Sequence, residues 1–171
     1  MSEERRLVES IRQQTELMFY NLSVSMKTCN RDWLICGTPA WRYFYHTLHS
    51  CDQWFINPHH FTEPWLHVEN MNNVDAPCSK VLTDKELWEY FDYVQKKILH
   101  YLDGLVDSDL YDRPNDCRDN RLELIFAQFR HAIAHIGILN GITIAHTGKY
   151  PMVFNISNWE AGKLEGKLYD E

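Results

Sequence analysis

Two histidines in the chain are spaced so that both could bind one metal ion. His131 and His135 are four positions apart in a strongly apolar segment. If that segment is helical, both imidazoles project from one face about one turn apart and can reach a single divalent ion. The same spacing also occurs in helices whose histidines are only hydrogen-bonded or exposed. The pair therefore predicts a metal site that needs at least one more ligand.

His46 is the expected third ligand, because it lies away from the apolar stripe of an earlier predicted helix, formed by Trp41, Phe44 and Leu48. His49, three residues later, is the alternative third ligand, or else it orients a ligand or lines a substrate site. Three imidazoles would leave further coordination positions to water or substrate, and they suit Zn, Ni, Cu or Fe. The sequence leaves both the third ligand and the element open.

Four segments with apolar residues at three- and four-residue spacing predict the helices that would position these histidines. We predict helices from Glu3 to about Met26, from Thr38-Pro39 to about Phe55, from Thr83 to Gly104 and from Asn120 to about His146. Residues 57–82 contain three prolines and little periodicity, which predicts a long connection between helices two and three. We expect the tail from Lys149 to be irregular and packed through Trp159.

Local signals define several of these boundaries. Thr83 and Asn120 are each followed three residues later by a glutamate, the pattern of a capping box. Thr38 precedes a proline, which predicts an N-cap followed by proline at the first helical position. Gly104 predicts a left-handed residue after the third helix.

The fourth predicted helix is apolar nearly all round, so we expect both of its faces to be buried. The histidines lie roughly opposite its main apolar stripe, beside small alanines that would leave room for a ligand. That stripe, predicted to face the core, consists of Leu122, Ile125, Phe126, Phe129, Ile133 and Ile136.

The bulk composition predicts one soluble domain over residues 1–171, and the four long helices with a long second connection predict an all-α four-helix bundle. A chain of this length needs no metal merely to fold, so we expect any metal to be functional. There are 17 lysines and arginines against 24 acidic residues, a net charge of −7, and no long basic run, so we expect no nucleic-acid partner. The first residues lack a signal-peptide core, and no run approaches 18 consecutive apolar residues, which predicts a cytoplasmic protein without a membrane partner.

Several other site classes lack their sequence patterns. The five cysteines are odd in number and never form a Cys-x-x-Cys pair, so we expect reduced thiols and no thiolate zinc site. No P-loop, Gly-x-Gly-x-x-Gly or Gly-x-Ser-x-Gly element is present, so nucleotide binding and serine-hydrolase chemistry have no support.

Two stretches, Trp41-Arg-Tyr-Phe-Tyr-His-Thr-Leu-His-Ser50 and Phe129-Arg-His-Ala-Ile-Ala-His-Ile-Gly137, resemble the DinB/YfiT-like family of metal-binding four-helix bundles. The resemblance covers nearly the whole chain through helix number, helix order and the long second connection. It implies a bundle of up-down-down-up type that holds zinc or nickel. It also implies, for some members, transfer or isomerisation with a low-molecular-weight thiol, and often a homodimer. The ligands that it implies here are His46, His131 and His135.

Our leading hypothesis is a divalent-metal-dependent enzyme, a transferase or hydrolase acting on a small molecule, in which the ion lowers the pKa of a water or a thiol. The alternative is a non-catalytic metal-binding or protein-interaction bundle, since no general base is evident beside the histidines in sequence. A third hypothesis is that the histidines are structural and hold no metal. The sequence does not identify a catalytic residue.

Overall fold

Four α-helices dominate the computed structural model, which describes residues 3–155 and 166–170. They are α1 (Arg6–Thr28), α2 (Ala40–Trp54), α3 (Asp84–Asp103) and α4 (Arg121–Thr147). Short 3-10 turns cover Glu3–Arg5, Pro58–His60 and Asp107–Tyr111. The prediction of a mainly helical chain with four helices is confirmed.

Both predicted capping boxes are present. The Thr83 hydroxyl accepts from the Glu86 N–H at 3.2 Å, and the Glu86 carboxylate accepts from the Thr83 N–H at 2.8 Å. Asn120 and Glu123 form the same reciprocal pair at the start of α4. Each pair satisfies two backbone donors that a helix end otherwise leaves free. Because the two residues are only three positions apart, these helix starts could be predicted from the sequence.

The prediction that Thr38 caps the start of α2 is wrong. Thr38 does not cap the helix, because its hydroxyl donates instead to the Val74 carbonyl at 2.7 Å. The Thr38–Pro39 pair forms a two-residue strand, β2, antiparallel to β1 (Leu34–Ile35). The acceptor belongs to the long connection, 36 residues further along the chain, so the residues around Thr38 could not predict it.

The predicted left-handed glycine after α3 is also wrong. Gly104 has φ −85° and ψ −6°, in the right-handed region. Its N–H donates to the Tyr101 carbonyl, and the Leu105 N–H donates to the Leu102 carbonyl, so the helix ends in a tightened turn. The left-handed C-cap belongs to α4, where Gly148 has φ 69°.

The described part of the tail pairs with itself and packs on α1. β3 (Tyr150–Pro151) is antiparallel to β4 (Tyr169–Asp170). Met152 and Phe154 are buried in a small apolar cluster with Leu17 and Val24. Trp159, the predicted anchor of the tail, lies outside the described residues.

The helices pack against one another, with α1 and α2 each contacting both α3 and α4. The core between them holds large side chains from all four helices, such as Phe19, Tyr45 and Ile98. One buried carboxylate, Asp52 of α2, accepts from the Tyr90 hydroxyl at 2.9 Å and pairs with Lys97. These contacts fix α2, the helix that carries His46.

The predicted core stripe of α4 is partly wrong. Phe126 and Ile133 are 46% and 52% exposed, although both were expected to face the core. Because this helix is apolar nearly all round, periodicity does not identify one inward face, and tertiary packing decides it. The positions of α4 that are buried are Leu124, Ile125, Gln128, Ala132, Ile136, Leu139, Asn140 and Thr143.

Among the helices that the structure describes, α4 is also long and apolar enough to cross a membrane, judged by length and composition alone. A core helix of a soluble protein passes the same test.

Candidate metal centre

Three histidine side chains converge between α2 and α4. The ring centroids of His46 and His131 are 5.0 Å apart, those of His46 and His135 are 4.7 Å apart, and those of His131 and His135 are 4.5 Å apart. One ring nitrogen from each residue lies within 4.8 Å of the other two. All three residues of this group, here called the histidine triad, are partly exposed.

Small and polar residues between the helices set the register of the triad. Ala132, next to His131 on α4, is small and fully buried. One turn from His46 along α2, the Ser50 hydroxyl donates to the Gln128 side-chain oxygen at 2.9 Å. This hydrogen bond ties the two helices together beside the triad, because a buried polar group must find a partner at one relative position.

Two triad nitrogens are buried and have no hydrogen-bond partner, His131 Nε2 and His135 Nδ1. Leaving such an atom unsatisfied costs about 1–3 kcal/mol. A neutral imidazole has one nitrogen with a free lone pair, which can accept a hydrogen bond or bind a cation, and no donor among the described residues reaches these two atoms. The two atoms therefore fit ligands of a metal ion.

His46 is oriented by the long connection. Its Nδ1 lies 2.6 Å from the backbone oxygen of Asn72, and since a carbonyl only accepts, Nδ1 must carry the proton. The lone pair is then on Nε2. Metal-bound histidines commonly donate their second nitrogen to a carbonyl in this way, which fixes both tautomer and ring orientation.

The segment that presents this carbonyl is anchored by Arg42, a residue that sequence reasoning missed. Its side chain is 6% exposed, and its guanidinium donates to the backbone oxygens of Asn70, Asn73 and Ala76. These carbonyls flank Asn72 on both sides. The only sequence signal was an arginine inside an otherwise apolar helix start.

Burial keeps the α4 histidines neutral. It lowers the pKa of His135 from 6.5 to about 4, with smaller contributions from the neighbouring His131 and His46. Burial is also the main reason why the pKa of His131 is lowered, followed by the charge of His46. Neutral rings at neutral pH leave their lone pairs free for a metal.

We expect the metal-free protein to lose stability as the pH falls from 6.5 toward about 4. In this window the unfolded chain binds a proton at residue 135 that the folded chain excludes, so the free energy of unfolding rises with pH. Denaturant unfolding in chelator, carried out near neutral pH and near pH 4, measures this change in the free energy of unfolding. His135→Gln should flatten the dependence and His100→Gln, on the exposed face of α3, should not. Equal slopes in the two variants would contradict the assignment.

The other histidines lie outside the triad. His49 is buried, and its Nε2 donates to the Glu63 carboxylate at 2.7 Å, so the structure brings His46 and not His49 to the α4 pair. His67, which is mostly buried, lies next to His49. His59 and His60 are exposed on the connection, where His60 pairs with Asp116 at 3.2 Å.

Comparison with known proteins finds no match for this chain among family models, curated proteins or solved structures. The case for a metal centre therefore depends on the donor set. The donor set is three imidazoles, two with an unpartnered nitrogen and one whose other nitrogen bonds a carbonyl, and imidazole ligands suit Zn, Ni, Cu or Fe.

Proposed function

We propose that this chain is a divalent-metal-dependent enzyme, a transferase that acts on a small molecule with a low-molecular-weight thiol as cosubstrate. The observation that supports it most is the triad itself, in which His131 Nε2 and His135 Nδ1 lack partners while Asn72 fixes His46. The triad residues would hold the ion, zinc or nickel. When bound, the ion would supply Lewis acidity and lower the pKa of a thiol or water.

The surroundings of the triad support access by a small molecule. Its three residues are partly exposed, so the triad lies near the protein surface. Three neutral imidazoles carry no charge to offset that of the ion, which favours an anionic group of the substrate. The hydrogen bond from His46 to the Asn72 carbonyl holds one ring in place, so little ordering is required when substrate binds.

The proposal includes a four-helix bundle of the DinB/YfiT-like, up-down-down-up type, as a single domain. The packing of α1 and α2 against both α3 and α4 supports it, as does the long connection of residues 57–82 with only one 3-10 turn. A cytoplasmic location and a homodimer are further parts of the proposal. The five cysteines are all unpaired, which fits a reducing compartment.

The test is a screen of chelator-treated and zinc- or nickel-loaded protein with low-molecular-weight thiols and electrophilic acceptors. We expect thiol consumption that requires metal, disappears in His135→Ala and persists in His100→Ala. Turnover that survives chelation, or that His135→Ala leaves unchanged, would rule out the proposed enzyme.

A second candidate is a binding-only bundle, favoured by the apolar surface of α4. Phe126, Ile133 and Ile138 are exposed on this helix. Beside them, a groove of about 570 Å³ is lined mainly by apolar residues of α1, α4 and the tail, among them Met18 and Phe129. Exposed apolar surface of this kind is typical of protein interaction sites. Metal binding without turnover in the thiol screen is the result that this candidate predicts.

A further inference from the structure

We propose that the chain has a second divalent metal site, formed by His49, Glu63 and His67 and separate from the histidine triad. One ring nitrogen of each histidine and one carboxylate oxygen of Glu63 lie within 4.8 Å of one another. We call this group the His-Glu-His cluster. It shares no residue with the triad, and its existence does not depend on the proposed function.

α2 supplies the first ligand. The His49 side chain is only 3% exposed, and its Nε2 donates to the Glu63 carboxylate at 2.7 Å. The Phe61 ring lies edge-on to the His49 ring at 5.2 Å, which restricts the imidazole further. A ring held this firmly keeps one nitrogen directed at the position of the carboxylate.

The long connection supplies the other two ligands. His67 is 15% exposed, and its Nδ1 lies 3.5 Å from the same Glu63 oxygen that His49 contacts. The fully buried Tyr45 hydroxyl and His67 Nδ1 are joined by a 2.7 Å hydrogen bond, and the two rings stack. Tyr45 thus holds the His67 ring in place beside Glu63.

The donor set points to an ion and not only to a hydrogen-bonded pair. A histidine and a glutamate suffice for a hydrogen bond, yet here two imidazoles approach one carboxylate oxygen, at 2.7 Å and 3.5 Å. Two histidines and one carboxylate are a common ligand set of zinc enzymes and of non-haem iron enzymes.

Charge and exposure also fit this assignment. Glu63 is 51% exposed, so the cluster opens to solvent and leaves room for further ligands. Its negative charge would offset part of the charge of the ion, unlike the all-neutral triad. On binding, the ion would take the place of the proton on His49 Nε2, and the neutral ring would then carry its proton on Nδ1.

The test is the number of metal ions bound per chain. Chelator-treated full-length protein is titrated with Zn²⁺, and with Co²⁺ for its visible absorbance, and metal content is measured after gel filtration. We expect two ions in the unmodified chain and one in Glu63→Gln and in His67→Ala. His60→Ala, at an exposed histidine of the same connection, should keep both ions. Circular dichroism verifies that each variant folds.

Failure of this proposal is distinguishable from failure of the triad. His131→Ala should lose one ion and keep the other, and combining it with Glu63→Gln should remove both. A single ion in the unmodified chain that only His131→Ala removes would overturn the second site, as would two ions in both Glu63→Gln and His67→Ala. A single ion that only Glu63→Gln removes would support the second site and remove the triad.

Discussion

Substituting His131 or His135 with alanine is expected to weaken zinc binding at the triad by more than about 100-fold, since loss of a direct ligand exceeds the 10–100-fold typical of an outer partner. Each variant removes one of the two buried nitrogens that lack a partner. Zinc content after dialysis against a weak chelator should fall by one ion per chain. The measurement is metal analysis together with a competitive zinc titration.

The same variants should have little effect on the stability of the metal-free protein. Removing an unpaired buried nitrogen abolishes its desolvation penalty, so the apo variants should be about as stable as the unmodified chain. The rise in melting temperature on adding zinc should shrink, because stabilisation by a ligand follows its affinity for the folded state. His100→Ala, on the exposed face of α3, is the matched control. Zinc content and affinity unchanged in both variants would rule out ligation by these residues.

Arg42→Ala should have the second-largest effect, and it should act on stability and metal binding together. The guanidinium donates to three backbone oxygens, and hydrogen bonds to a charged group contribute about 1.5–3 kcal/mol each. We therefore expect the free energy of unfolding to fall by about 3 kcal/mol or more. Because the anchored segment presents the Asn72 carbonyl to His46, zinc affinity should fall by about 10–100-fold.

Denaturant unfolding and zinc titration measure the two effects of the Arg42 substitution. Arg42→Lys should give an intermediate result, because an ammonium keeps the charge but lacks the planar fork that reaches several carbonyls. Arg130→Ala, at an exposed arginine of α4, is the matched control and should stay within about 0.5 kcal/mol. An Arg42→Ala chain that unfolds at the same denaturant concentration as the unmodified one would contradict the anchoring role.

Those parts of the fold that depend on neighbouring residues were predictable from sequence. The capping boxes at Thr83 and Asn120 require only residues three positions apart, and both are present. Thr38 fails as a cap because its hydroxyl finds the distant Val74 carbonyl. The prediction that Phe126 and Ile133 face the core is wrong, because a helix that is apolar on all sides can be rotated about its axis and still bury an apolar face.

The candidate site also has a part that the sequence predicts and a part that it does not. The spacing of His131 and His135 predicted that they would meet, since i and i+4 always share a helix face. Whether His46 or His49 joins them depends on how α2 rolls against α4, which local sequence does not determine. The contribution of the long connection was not predictable, because a backbone carbonyl such as that of Asn72 has no signature in side-chain type.

The most direct test of the central claim is a crystal structure of zinc-loaded protein with anomalous data at the zinc edge. The account predicts a zinc peak between α2 and α4, with ring nitrogens of His46, His131 and His135 at about 2.0–2.1 Å. Stoichiometric zinc with no peak at that position, or a peak there whose ligands do not include His46, would contradict it.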